Sequence, residues 1–283
     1  MGRSSFLNAL YPRFFQFGHF AIPTYGVFIA IAVVGALALL LYFARRLSLN
    51  PNKLWNVGLI AILTALIAER LLVVVAYFSA FREHPFWVLG LASNRLPAAW
   101  IAPAALLLGL AAATLYVLAD GLPFLRVLDC GALAATLPFA IASVGAFLAG
   151  AHYGLPTTSG WSVTYTSPFA FLWYGTPLAV RLYAVQLYAA LAFVAIFLVL
   201  LWWLPRRKQA GEFAGGWLFL AGLAGFFLDF YRPPSQSHFW IHQPVFVAMV
   251  VAGGALLLRR KSPVAASSSP VGNYTDVDDP QEL

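Results

Sequence analysis

The stretch "AIPTYGVFIAIAVVGALALLLYFARR", residues 21–46, decides the fold class. From Tyr25 to Ala44 it carries no charge, and it closes on Arg45 and Arg46. A helix needs about 20 mostly apolar residues to cross the hydrocarbon core of a bilayer, and this run supplies them. It is too long for a cleaved leader, and no small-residue cleavage pattern precedes the two arginines. Working outward, six more apolar segments follow, at about 55–79, 98–119, 131–150, 182–204, 213–231 and 243–258, with the first at 21–43. The chain is 61% hydrophobic and only 10% charged over 283 residues, too few charges to coat a soluble globule. The expected architecture is all-α: a polytopic membrane protein of seven transmembrane helices with a small outer head. A membrane domain spans 1–261 and a tail spans 262–283.

The cations set the orientation. Arg45, Arg46, Lys53, Arg126, Arg206, Arg207, Lys208, Arg259, Arg260 and Lys261 fall on one side of the spans. Arg3, Arg13, Arg82, Arg95, Arg181 and Arg232 fall on the other, and Arg70 lies within the second span. The clustered side is the inner one, so the N-terminus is expected outside and the C-terminus in the cytoplasm. The net charge of +7 is thus a topology signal, and no nucleic-acid partner is implied. The tail is Ser/Pro-rich and then acidic, through Asp276, Asp278, Asp279 and Glu282, and is expected to be disordered. "NYT" at 273–275 would lie inside, where it is no glycosylation site. Cys130 is the single cysteine, which excludes a disulfide framework and a cysteine metal cluster; it reads as a small buried residue at a helix start.

Chemistry is expected on the outer face. Residues 151–181, "AHYGLPTTSGWSVTYTSPFAFLWYGTPLAVR", form the longest interhelical connection of the chain. Their composition suits a head resting on the membrane surface, with Trp161 and Trp173 at headgroup level. The other outer segment, "DFYRPPSQSHFWIHQP" at 229–244, gathers Asp229, Arg232, His238 and His242. Charged groups at membrane depth mark functional hypotheses. Arg70 reads either as a phosphate clamp or as a partner for helix-end carbonyls or an interior carboxylate; Glu69 reads as its partner or as a snorkelling side chain. Asp229 and Arg232, three apart, read as a one-faced pair that ends its helix or as a headgroup clamp. The His238/His242 spacing lacks further ligands for a metal. His152 reads as a general base or as an ordinary hydrogen-bonding loop residue.

The order of several motifs resembles the bacterial prolipoprotein diacylglyceryl transferases. "FGHFAIPTYG" (17–26) is similar to that family's opening motif at Gly18, Ile22, Tyr25 and Gly26. "AERLLVVVAY" (68–77) is similar to its second-span motif at Arg70 and Tyr77. Asp129, "VQLY" (185–188) with Gln186, Leu187 and Tyr188, "DFYRPP" (229–234) and Gln243 continue the match. The resemblance implies a seven-span inner-membrane enzyme, without a cofactor or metal, that moves the diacylglyceryl group of phosphatidylglycerol onto a prolipoprotein cysteine.

"ASVGAFLAGAHYG" (142–154) departs from the family signature. Gly145, Phe147, Gly150 and Gly154 keep its frame, while Ser143, Ala146, Ala149 and Ala151 replace its arginine, two asparagines and glutamate. The family's catalytic histidine falls near Ile101 or Ala102. Tyr183 and Ala189 stand for the His and Glu flanking Gln-Leu-Tyr, and Gly225 stands for a second arginine. The phosphate-binding set then comprises Arg70, Arg232 and a recruited Arg181, with Gln186, Tyr188 and the three glycines. His152, Tyr25 and Tyr183 are the base candidates. Three functions follow: an active transferase with a rearranged site; a lapsed relative that binds a phospholipid or a protein partner within a membrane assembly; or another headgroup reaction on the same scaffold.

Overall fold

The computed structural model describes residues 11–17, 20–83, 100–234 and 239–259. Gly18, His238, the 262–283 tail and its "NYT" lie outside the described residues. Nine helices are found among the described residues: α1 (Thr24–Arg46), α2 (Pro51–Ala76), α3 (Phe78–Glu83), α4 (Ile101–Ala119), α5 (Phe124–Ala149), α6 (Pro168–Tyr174), α7 (Val185–Trp203), α8 (Glu212–Asp229) and α9 (Phe239–Leu258). Six of them, α1, α2, α4, α5, α7 and α8, are long and apolar enough to cross a membrane. The apolar stretch of α9 runs from His242 to Leu258. Outward-facing Leu66, Val75, Leu107, Leu115, Leu198 and Val251 stay exposed, as expected where lipid is the solvent.

Local chemistry sets the helix ends. Asn50 caps α2 by accepting from the N–H groups of Asn52 and Lys53, with Pro51 at the first helical position. One boundary differs from the sequence reading, which opened a span at 131 behind Asp129. α5 begins at Phe124 and carries Asp129 into the protein. Its carboxylate, wholly buried, accepts from Gly211, Phe213 and Ala214 N–H at 2.7, 2.9 and 2.9 Å and from the Arg207 guanidinium at 2.9 Å. α8 has only Gly211 at its N-cap, so a side chain from another helix satisfies its orphan donors.

α5 is central and packs on α1, α7 and α8, while α2 joins α4 to α1 and α9 lies against α8. The main core sits toward the end holding Arg46 and Arg207, around Phe43, Leu54, Cys130, Leu133, Leu200 and Phe213. α8 and α9 meet through glycines: a Cβ at Gly253 would stand 2.5 Å from Phe219 N and 2.6 Å from Gly215 O. Such close backbone approach is how helices associate when lipid offers no hydrophobic drive.

At the opposite end, residues 151–184 form the head. Strand β3 (Ser162–Thr164) pairs antiparallel with β4 (Arg181–Tyr183), Val163 opposite Leu182. Val163, Tyr165, Ala170 and Leu182 form its core with Phe147 of α5. A hairpin of β1 (Arg13–Phe17) and β2 (Phe20–Pro23) precedes α1, and the Arg13 guanidinium stacks over the Phe169 ring at 4.1 Å.

Candidate functional site

The site grows from the end of α5. Gly150 closes that helix in the left-handed region at φ 86, donating to the carbonyls of Ala146 and Phe147. Three side chains then hold the carbonyls of this turn. Tyr165 OH donates to Phe147 O at 2.9 Å, Thr176 Oγ1 to Gly150 O at 2.7 Å, and Gln186 Nε2 to Ala151 O at 2.7 Å. Burial pushes the Tyr165 hydroxyl up, so it stays a neutral donor. The small side chains of the turn are thus compensated by polar groups from the head and α7 that grip its backbone.

His152 follows at φ 53, a conformation that costs a non-glycine residue about 1–2 kcal/mol. Such strain persists where surroundings over-determine it. The ring lies 3.4 Å, Nε2 to hydroxyl oxygen, from Tyr25 at the start of α1, and the two rings meet edge to face at 5.8 Å. Tyr174 packs edge-on to Tyr25 at 6.2 Å. The His152 ring is open on one side yet set deep in the protein mass. Desolvation, then the charge of Arg232, holds its imidazole down at about 4. It is neutral near pH 7 and able to accept a proton. Burial, then the neighbouring Tyr25, pushes Tyr174 up to about 12.

Arg232 supplies the cation. It lies just beyond the end of α8; its N–H donates to Asp229 O at 3.1 Å, and the Asp229 carboxylate acts electrostatically on its guanidinium. Asp229 turns to α9, where His242 Nδ1 lies 3.4 Å from Oδ1 and Gln243 Nε2 donates to Oδ2 at 3.4 Å. The Arg232 Nε is buried and donates to no described group. Its charge is felt by both Tyr25 and His152.

The other expected residues fall elsewhere. Arg70 stands over the Phe81 ring at 5.8 Å, beside the cluster of Val73, Phe81 and Ile101. Arg181 is exposed and donates to Ser162 Oγ at 3.1 Å. Tyr183 packs on Tyr231 at 5.2 Å, and its carbonyl would lie 2.5 Å from a Cβ at Gly154. Gly145 admits the Phe28 side chain. Tyr188 OH donates to Trp161 O at 3.2 Å, beside a largely apolar cavity of about 300 Å³ between Phe147, Val163, Ala184 and Leu187. Tyr165, Tyr174 and Thr176 were not singled out from sequence; their partners are distant in the chain, and only the aromatic richness of the head pointed toward them.

The replaced positions are filled. Ser143 Oγ donates back to Phe139 O at 2.8 Å, Ala146, Ala149 and Ala151 are buried, and Ile101 is wholly enclosed. Beside Gly225 lies the Phe246 ring, whose Cδ1 would sit 2.6 Å from an added Cβ. Among the described residues, no three His, Cys, Asp or Glu converge as a metal site.

The family model for prolipoprotein diacylglyceryl transferases matches residues 12–259. The chain is 23% identical over 222 residues to the phosphatidylglycerol–prolipoprotein diacylglyceryl transferase of Clostridium tetani, covering 78% of this chain and 85% of that one. It is 22% identical over 238 residues to the corresponding transferase 2 of Clostridium perfringens, with 84% and 90% covered. Over 157 residues it is 27% identical to the Trichormus variabilis enzyme, about half of each chain.

Proposed function

The chain belongs to the prolipoprotein diacylglyceryl transferase family, and on that premise we propose that it transfers the diacylglyceryl group of phosphatidylglycerol to a lipobox cysteine, using the Tyr25–His152–Arg232 cluster. The observation that carries this reading is a neutral histidine hydrogen-bonded to a tyrosine within the field of an arginine whose buried Nε has no partner among the described residues. With its head end on the outer face, the protein meets both lipid and precursor there.

The residues divide the work. Arg232 holds the phosphodiester, a charge-assisted contact that fills its vacant donor. Desolvation is the larger cause that holds His152 down and Arg232 the smaller; the bound anion offsets the Arg232 part and so raises the basicity of the imidazole. The precursor thiol gives its proton to the Tyr25–His152 pair, directly to Nε2 or through the hydroxyl. Sulfur attacks the glyceryl carbon bearing the phosphate, the S–C bond forms as the C–O bond breaks, and glycerol phosphate leaves with the electron pair. Arg232 stabilises the charge on that leaving group. Gln186, Tyr165 and Thr176 are positioning residues, acting through the 147–151 backbone. The cavity beside Tyr188 suits an apolar precursor side chain or acyl segment.

One observation favours a second reading. The Phe246 ring fills the space beside Gly225, where the family resemblance places an arginine. A protein that binds the lipid without turnover would retain Arg232 and lose that group. The deciding experiment mixes purified protein, phosphatidylglycerol vesicles and a lipobox peptide. Mass spectrometry then looks for a diacylglyceryl adduct on the cysteine. An adduct absent with His152→Gln supports the transferase; no adduct from folded, lipid-binding protein supports the second reading.

A further inference from the structure

The end of the bundle opposite the head carries a second polar concavity. It is an open cleft of about 680 Å³ between the ends of α1, α5 and α9 and the α7–α8 connection. Five cations line it: Arg46, Arg126, Arg207, Lys208 and Arg259. Positive charge near helix ends follows from topology alone. A common mouth does not, and neither does the lack of counter-charges.

Arg207 is neutralised by Asp129, which is wholly buried. Arg46 donates to Tyr42 OH at 3.1 Å, a neutral partner. The Glu212 carboxylate accepts the Lys208 backbone N–H at 3.1 Å and pairs with no ammonium or guanidinium among the described residues. Arg126, Lys208 and Arg259 therefore face the cleft with no carboxylate partner among the described residues.

Backbone donors add to the charge. The Arg126 N–H is taken by Pro123 O at 2.9 Å, but Leu125, in the first turn of the 26-residue α5, also lines the cleft, and that helix has no capping side chain. An uncapped helix N-terminus beside unpaired cations favours an anion with several acceptor oxygens.

The surroundings favour a lipid as its carrier. Leu258, next to Arg259, is 81% exposed, and Phe124 and Leu128 of α5 are open as well. Trp202 is exposed with the Arg206 guanidinium stacked 4.2 Å from its ring, the position of an aromatic at the headgroup level.

From these observations we infer that the cleft is a binding site for the phosphoryl group of an anionic lipid, at the bundle end opposite the Tyr25–His152–Arg232 cluster. Basic pockets between helix ends are suited to such headgroups. The site is separate from the proposed transfer reaction and does not depend on it.

The test uses the full chain in neutral detergent and short-chain phosphatidic acid as the probe, with phosphatidylcholine, inorganic phosphate and a peptide copy of residues 274–283 alongside. Native mass spectrometry and thermal melting read binding. Phosphatidic acid is expected to bind and stabilise, phosphatidylcholine not. The Arg126→Gln/Lys208→Gln/Arg259→Gln variant is expected to bind about 100-fold more weakly. Its own melting temperature in the absence of lipid checks the fold, and the comparison is made in an Arg232→Gln background as well, so that lipid held at the outer cluster does not count. Saturation by inorganic phosphate at matching concentration would support the phosphoryl site and assign it a soluble source. Equal binding by the triple variant or by phosphatidylcholine would overturn it. So would binding of the acidic peptide without phosphatidic acid, which assigns the cleft to the chain's own tail.

Discussion

Tyr25 and His152 are 127 positions apart, and the hydroxyl of one stands 3.4 Å from Nε2 of the other. The first belongs to the opening turn of α1 and the second to the strained turn that follows α5, so the packing of α1 on α5 builds the pair. If the pair moves the thiol proton, His152→Gln should lower the transfer rate by about 10²–10⁴ with little change in melting temperature. Tyr25→Phe should lower it by less. An unchanged rate in His152→Gln would remove the histidine from the mechanism.

The pH profile carries a second test. Burial and Arg232 hold His152 at about 4, below the ordinary histidine value. The acidic limb of kcat/KM, which reports the free enzyme, is expected well below pH 6.5. Arg232→Gln should move that limb upward, because a repelling charge is gone. The stability sign follows from the same shift. Between the unfolded value near 6.5 and the folded value near 4, the unfolded chain binds more protons than the native one. This histidine's contribution is therefore present above pH 6.5 and lost as pH falls through that window. A melting curve flat across the window in wild type, and unaltered in His152→Gln, would contradict it.

Arg232 should act mainly on lipid. Replacing it with Gln removes the charge proposed to meet the phosphodiester, and Lys retains charge without the planar fork. Lys is expected to restore part of the binding and less of the turnover. Phosphatidylglycerol titrations followed by transfer assays separate the two effects.

Asp129→Ala should be strongly destabilising. It leaves the N–H groups of Gly211, Phe213 and Ala214 and the Arg207 guanidinium without their shared acceptor. Breaking a buried pair costs about 3–5 kcal/mol. Chemical unfolding in micelles would read this, and Asp129→Asn should fall between the two. Equal stabilities would show that α8 does not depend on this cap.

Gly225→Arg tests whether the packed-over position still matters. Alone, the substitution meets the Phe246 ring, and overpacking of this kind costs about 1–3 kcal/mol. Combined with Phe246→Ala, space returns. A higher transfer rate in the double variant than in wild type would mark wild type as a weakened enzyme. No gain would mean that the surviving cations suffice.

Hydropathy and cation placement made the helices legible, because apolar length and basic ends are local properties. Six of the described helices are long and apolar enough to cross a membrane. Asp129 misled the reading of one boundary, since a lone carboxylate looks like a helix edge until the N–H donors at the start of α8 are seen. The site was legible only in its members. Tyr25, His152 and Arg232 were all identifiable by type, but nothing in the chain says that they converge while Arg70 and Arg181 stand apart. Arg232 lies just beyond the end of α8, with its N–H still bonded to Asp229 O. The motif resemblance pointed to Gln186, and the structure gives it a backbone-holding task.

The glycine contact between α8 and α9 bears on how the protein is made. Asp229 is bonded by His242 and Gln243 of α9, and Arg232 lies in the connection between the two helices. During synthesis, the connection that carries Arg232, the proposed anion-binding group, is anchored at both ends only after α9, the last of the described helices, has docked on α8. Until then the partly made chain lacks a finished pocket, so a ribosome-bound intermediate would sit among phospholipids without consuming them.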